Sequence, residues 1–186
     1  RNEGVSYYYT IRHLFRLAAR IVSEQNRCAQ QKQPFDTDKV IKTEAWEVYG
    51  DGLRSNEDKA LFNDLLKMVV TAPEDDGIPQ FKADTKKILI GRAELPINPS
   101  GGPNVPGRDA KSKHVKTTAK WLEKIAKCIA MNEKVLLIGP TGAAKTSLFR
   151  YLAYLTNNEF IRVSLDSQSD TSDLIGKYIH KEGSQG

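Results

Sequence analysis

The stretch "VLLIGPTGAAKTSLFRYLA", Val135 to Ala153, constrains the fold of this chain more than any other. An apolar run at 134–138 leads into a loop of small residues, and a helical pattern follows from Lys145 to about Leu155. A second apolar run, "EFIRVSLD", comes next. This β-loop-α-β order predicts a parallel pair of strands with a right-handed crossover, the opening of an α/β sheet.

The loop itself, "GPTGAAKT" from Gly139 to Thr146, departs from the phosphate-loop pattern G-x-x-x-x-G-K-[ST] only at Ala144. In that pattern the main chain turns its N–H groups around a phosphate at the positive end of the following helix. Gly139, Pro140, Thr141, Gly142, Ala143 and Ala144, with Lys145, Thr146 and Ser147 at the helix start, are the candidate ATP site. Lys145 would supply a charge to the β- and γ-phosphate oxygens, and Thr146 a hydroxyl to Mg²⁺. At positive φ the methyl of Ala144 costs roughly 1 kcal/mol or more, whereas inside the first helical turn it costs nothing. Because Gly142 is available to relieve the turn, the helical conformation is expected at Ala144. The plain alternative is a glycine-rich turn that binds nothing; strand, loop, Lys-Thr pair and helix together argue against it.

Hydrolysis would also need an acidic residue after a second apolar strand. Asp166 is the candidate, followed by Ser167 and Gln168 rather than by Glu. It either serves as a metal-side acid, as in a P-loop kinase or GTPase, or it ends the strand and shapes the rim of the site. The segment therefore reads as able to bind a nucleotide and poorly equipped to hydrolyse one alone.

The rest of the chain is organised around this loop. Apolar residues Tyr8, Ile11, Leu14, Phe15, Ala18, Ile21 and Val22 predict an amphipathic helix over about 6–27. Asp36 or Thr37 opens a second helix that Gly50 stops, and Ser55 caps a third with Ala60, Leu61, Leu65, Leu66 and Val69 on one face. Phe15, Trp46, Leu61 and Leu65 are the expected apolar centre of this helical unit. The residues Trp46, Trp121 and Tyr7–Tyr9 read as packing residues. "KKILIG" reads as a short strand, the Pro- and Gly-rich 95–113 as an extended connection, and 114–131 as a helix facing inward through Ala119, Leu122, Ile125 and Ala126. Cys28 and Cys128 lie far apart, which favours a reducing interior, and His13, His114 and His180 show no ligand spacing. A net charge of +5, spread along 186 residues, permits an acidic partner without demanding nucleic acid. The chain lacks an initial Met and ends abruptly in "HKEGSQG", which suggests a piece of a longer polypeptide.

Two stretches together, "KVLLIGPTGAAKTSLFRYLA" and "FIRVSLDSQSDTSDLIG", resemble the start of an AAA+ module of the dynein-related clade. The second carries the resemblance at Arg162, Val163, Ser164, Ser167, Gln168, Ser169, Asp170, Asp173, Leu174 and Gly176. Alanine before the lysine also occurs in the related MoxR group. "SYYYTIRHLFRLAARI" resembles the helix that opens the lid of such modules, with Arg12 where a sensor 2 arginine would stand. "AWEVYGDGLRSNEDK" is similar to the next lid segment, and "KKILIGRAELP" to the strand near the adenine pocket.

The resemblance implies an α/β chain in tandem order. Residues 1–71 would be the helical lid of one module, 72–113 a linker with a short strand, and 114–186 the first part of the next parallel-sheet P-loop domain. It implies ATP and Mg²⁺ as cofactors, Thr146 on the metal side and Arg12 in a catalytic sensor role. It further implies an ATP-driven remodelling machine, chaperone-like, whose modules form a ring on one chain. Its cargo would be macromolecular, a pre-ribosomal particle in the ribosome-assembly members, with no membrane partner and direct nucleic-acid contact left open. Location would be nuclear or nucleolar in those members and cytoplasmic in others. A nucleotide-binding module that does not hydrolyse, and a P-loop kinase or GTPase, remain rivals. Beside these readings, Arg12, Arg16 and Arg20 also fit a solvated helix face, and "SQSDTSD" at 167–173 a helix cap.

Overall fold

Side-chain caps and a close-packed glycine set the bounds of the first three helices. The computed structural model describes residues 7–72, 77–110, 116–165 and Ser169. Helix α1 spans Ile11–Gln30, and at its start the Thr10 N–H donates to His13 Nδ1 at 3.1 Å. Helix α2, Thr37–Ala45, is capped by Asp36, whose Oδ1 accepts from the Lys39 N–H at 3.0 Å. It runs on into a widened π-helical turn, Trp46–Gly50. Gly50 closes it, at a position where a Cβ would lie 2.8 Å from Trp46 Cδ2. Helix α3, Asn56–Val69, is capped by Ser55 Oγ, which accepts from the Asp58 N–H at 2.9 Å.

The packing of α1 reverses the expectation from its apolar stripe. Ile11, Leu14, Phe15 and Val22 are exposed, as are Leu61 and Leu65 of α3. The expected centre of Phe15, Trp46, Leu61 and Leu65 does not form; Trp46 is half-buried and lies against Phe62, with ring centroids 5.7 Å apart. Two other packing expectations also shift: Tyr8 is exposed, and Trp121 is 43% exposed with Lys124 Nζ over its ring. On α1 the residues turned inward are Arg20, Glu24 and Cys28. The arginine stripe is therefore not one solvated face: Arg12 is exposed, Arg16 half-buried and Arg20 only 3% exposed.

The reason is a buried network of charges. Arg20 donates to Glu47 Oε2 at 2.8 Å and to both Glu133 oxygens, Oε2 at 2.6 Å and Oε1 at 3.1 Å. Arg92, in the turn after Ile90, reaches Glu123 Oε1 at 3.1 Å, and Glu44 and Glu47 at 3.4 Å each. Lys127 donates to Glu44 Oε1. Burial opposes the charged form of Arg20, but the hydrogen bond and charge of Glu133, then the charge of Glu47, outweigh it and raise its pKa. Arg92 is raised in the same way, against burial, by Glu47, Glu123 and Glu44. An ion pair removed from water must be fully partnered to be tolerated, so these groups fix the elements that carry them.

The second half packs on an apolar core. Strands β1 (Phe81–Ala83), β2 (Lys87–Ile90) and β3 (Ala93–Pro96) form an antiparallel sheet in that order. Ile88 pairs with Leu95 and Ile90 with Ala93, so all four fall on one face. Helix α4, Lys116–Ala130, covers that face with Leu122, Ile125 and Ala126. Helix α5, Lys145–Thr156, completes the core through Leu148, Tyr151 and Leu152. Full burial of Ile90, Leu122 and Ile125 contributes about 1.5–3 kcal/mol each.

The expected parallel pair is corrected here. Among the described residues neither 134–138 nor 158–165 carries a strand ladder, and the sheet present is antiparallel. Val135 and Leu137 pack on the core while Leu136 and Ile138 are 82% exposed. An apolar run of this kind reads as a strand covered on both faces, yet only one face is covered here. Ile161, Val163 and Leu165 are exposed in the same manner.

Replacing Arg20 with Met strips the half-buried carboxylates Glu47 and Glu133 of their nearest cation. We expect a loss of about 3–5 kcal/mol in urea unfolding at neutral pH, against less than about 1 kcal/mol for the exposed Arg12→Met.

Candidate functional site

The tight turn before α5 is built by two residues with positive φ. Gly142 has φ +84° and Ala144 has φ +55°, ψ +16°, the left-handed region. The helical conformation expected of Ala144 is therefore overturned: the turn needs both positions, and Gly142 does not relieve the second. A left-handed alanine costs roughly 1 kcal/mol, strain that the surrounding turn has to hold in place. The turn closes through an Ala143 N–H to Pro140 carbonyl bond of 3.3 Å, and Leu148 N–H returns to the Ala144 carbonyl at 3.0 Å.

No side chain caps the first turn of α5 among the described residues. Its free N–H groups concentrate roughly half a positive charge at the helix tip. Gly139 to Ala144, Thr146 and Ser147 are exposed, and Lys145 is half-buried. The Lys145 ammonium folds back over the turn, donating to the carbonyls of Gly139 and Pro140 at 2.7 Å each. A Cβ added at Gly142 would meet nothing within 4 Å, so the space beside it is open. The turn holds no acidic residue. The Lys145 ammonium and the uncapped helix tip thus lie together at an exposed turn, donors of a kind suited to a polyanion.

The far end of α5 is strapped by the Pro- and Gly-rich connection. Asn98 N–H donates to the Thr156 carbonyl at 2.8 Å, and Asn157 Nδ2 donates back to the Asn98 carbonyl at 2.7 Å. Further on, Phe160 N–H donates to the Asn104 carbonyl at 3.0 Å, and Asn104 N–H to Glu159 Oε1 at 3.2 Å. Gly102 permits this close approach, since a Cβ there would fall 2.5 Å from Glu159 Oε1. Arg150 pairs with Asp109 across the same connection. An open apolar hollow of about 700 Å³ lies beside the strap, lined among others by Leu95, Ile129, Phe149, Leu152, Phe160 and Ile161. It does not include the 139–147 turn.

Gly139 to Ser147 thus form one exposed turn and helix start, and Arg12 stands exposed in the first turn of α1. Asp166, Ser167, Gln168, Asp170, Asp173, Leu174 and Gly176 lie outside the described residues, as do 111–115. Sequence reasoning missed the charge network. Its trace is present: Arg16, Arg20, Glu24 and Cys28 recur every four residues, and Glu44 and Glu47 sit among apolar neighbours.

Residues 134–185 match the AAA domain of the dynein-related subfamily. The chain as a whole resembles this AAA+ clade, and within it midasin. It is 28% identical to midasin of Giardia intestinalis over 153 residues, 77% of this chain. To midasin of Dictyostelium discoideum it is 26% identical over 196 aligned positions, 95% of this chain. A shorter likeness, 36% over 63 residues, 34% of this chain and 16% of the relative, joins it to the gas vesicle ATPase GvpN1 of Halobacterium salinarum. The chain spans about 3% of the length of these midasins. No solved structure matches it.

Ala144→Gly releases the left-handed strain but loosens the unfolded chain. We expect an unfolding free energy unchanged or raised by up to about 1 kcal/mol, checked by chemical denaturation. A loss larger than that would mean that the strain is not present.

Proposed function

We propose that this chain is the joint between two consecutive modules of a tandem AAA+ ATPase. Residues 1–71 are the helical lid of one module, 72–113 the linker, and 114–186 the opening of the next P-loop domain. The supporting observation is the uncapped tip of α5 with the Lys145 ammonium at its mouth. Main-chain N–H groups of the turn and the Lys145 charge would hold the phosphates of ATP, and the Thr146 hydroxyl would face Mg²⁺. When bound, ATP·Mg²⁺ supplies a phosphoanhydride whose cleavage can drive movement. Lys145 now neutralises two carbonyl dipoles of its own turn, so it must leave them to serve a phosphate. Arg12 is assigned to nucleotide bound by the preceding module, which accords with its exposure.

Likeness to midasin supports a single-chain ring, with neighbouring modules as partners and a macromolecular cargo such as a pre-ribosomal particle in the nucleus or nucleolus. No helix among the described residues is long and apolar enough to cross a membrane.

Titration of a fluorescent ATP analogue tests the binding site. We expect Lys145→Ala to weaken binding at least about tenfold, the equivalent of one charge-assisted contact of ~1.4 kcal/mol or more. Thr146→Ala should keep metal-free binding and lose the gain that Mg²⁺ gives. Equal affinities of wild type and Lys145→Ala would refute the site.

A further inference from the structure

The turn before α5 is held from two sides that are anchored differently. From Lys145 onward it belongs to α5, which Leu148, Tyr151 and Leu152 fix in the core and the strap fixes at Thr156 and Asn157. Gly139 and Pro140 belong instead to the lead-in at 134–138. Among the described residues that segment has no strand ladder and no backbone hydrogen bond. Val135 and Leu137 reach the core while Leu136 and Ile138 are exposed, the period of two of extended chain. Extended chain has little slack along its length, so a shift at its start is passed on to Gly139.

The lead-in starts from Glu133, and that residue is gripped from another part of the fold. Helix α4 is closed by Asn132, which has φ +54°. The Asn132 N–H donates to the Ile129 carbonyl at 3.0 Å and the Glu133 N–H to the Cys128 carbonyl at 2.7 Å, the paired bonds of a helix end with a left-handed residue. Arg20 of α1 clamps the same helix end through side chains. Its Nη2 donates to Glu133 Oε2 at 2.6 Å and to Cys128 Sγ at 3.3 Å, and its Nε to Glu133 Oε1 at 3.1 Å. Arg16 Nε stands 3.6 Å from Glu133 Oε1. A two-point guanidinium–carboxylate pair fixes direction as well as distance.

We propose that Arg20 is a positioning residue for the nucleotide turn: through Glu133 it sets where the lead-in places Gly139 and Pro140 opposite Lys145. This rests on the reading of 139–147 as a nucleotide site. The Lys145 ammonium spans the two sides of the turn, reaching from α5 to the carbonyls of Gly139 and Pro140 at 2.7 Å each. A phosphate has to enter at that same gap. Freeing Glu133 leaves α5 in its core and lets the Gly139 side drift. The main-chain N–H groups then close less well around the phosphates, and affinity falls although the fold stands. Such coupling is reciprocal. A bound nucleotide that fixes Gly139 also tightens the hold of Arg20 on Glu133, and so steadies α1.

Glu133→Gln tests this, because it keeps the shape and one acceptor but loses the charge and the second bond to Arg20. Glu47→Gln is the control: it weakens the 2.8 Å contact of Arg20 with its other close carboxylate and leaves Glu133 in place. Affinity for a fluorescent ATP analogue and urea unfolding are measured on the intact chain for both, beside wild type and Lys145→Ala. We expect Glu133→Gln to weaken binding about three- to tenfold, the size of coupling carried through packed side chains. Glu47→Gln should lose stability and bind like wild type. Amide exchange in α1 should slow when the analogue is added to wild type, and not in Glu133→Gln. Wild-type affinity in Glu133→Gln, with Lys145→Ala still weakened, would overturn the positioning role alone. Equal weakening by Glu47→Gln would overturn it too, since affinity would then follow the stability of the clasp and not the grip on Glu133. Equal binding by wild type and Lys145→Ala would overturn the site and this role together. Should Glu133→Gln fail to fold, the wild-type exchange experiment decides, and unchanged exchange in α1 overturns the proposal.

Discussion

Among the described residues, the packing of the helical unit against α4 depends on Arg20 and the carboxylates that surround it. A guanidinium at 3% exposure has to be met by Glu47 and Glu133 at hydrogen-bond distance, and those residues sit on different elements. Arg92 and Lys127 extend the same requirement to the β2–β3 turn and α4. Such a network is weak evidence for stability compared with apolar packing, since desolvation offsets much of the attraction. It does demand one geometry, because any other leaves a charge buried and unpaired. The cost is visible in α1, which leaves Ile11, Leu14, Phe15 and Val22 facing outward.

From this clasp the arrangement of the candidate site follows. Helix α4 carries two faces: Lys127 toward Glu44 of the helical unit, Leu122, Ile125 and Ala126 toward the sheet. Helix α5 packs on the same core through Leu148 and Leu152, and its far end is strapped by Asn98 and Asn157. Its near end remains uncapped, with Ala144 held left-handed and Lys145 lying over its own turn. A rigid helix with a strained, exposed tip is suited to receive an anion. The exposed Leu136, Ile138, Ile161 and Val163 show that this half of the chain presents apolar surface well beyond its core.

Local signals read well from the sequence. Asp36 and Ser55 cap their helices as their residue types dictate, "KKILIG" contains β2, and the inward face of α4 follows its apolar period. The turn at Gly139–Thr146 was legible from its small residues and from the helical pattern that follows it, although the left-handed Ala144 was not. What failed was tertiary. Periodicity places an apolar stripe on α1, yet it cannot say which face is buried when the other face has charged partners 27 and 113 residues away. Likewise a methyl-bearing residue carries no mark that its φ is +55°. A β-loop-α-β order shows extended segments but not whether the two are neighbours. The ladders depend on which backbone stands alongside, and that is a property of the whole sheet.

Native-state hydrogen exchange of the backbone amides, followed through low denaturant, tests the clasp most directly. The account predicts that α1, α2 and the face of α4 around Lys127 open in one cooperative step, with equal free energy and equal denaturant dependence. Opening of α1 and α2 in a separate, lower-energy step while α4 stays protected would contradict it.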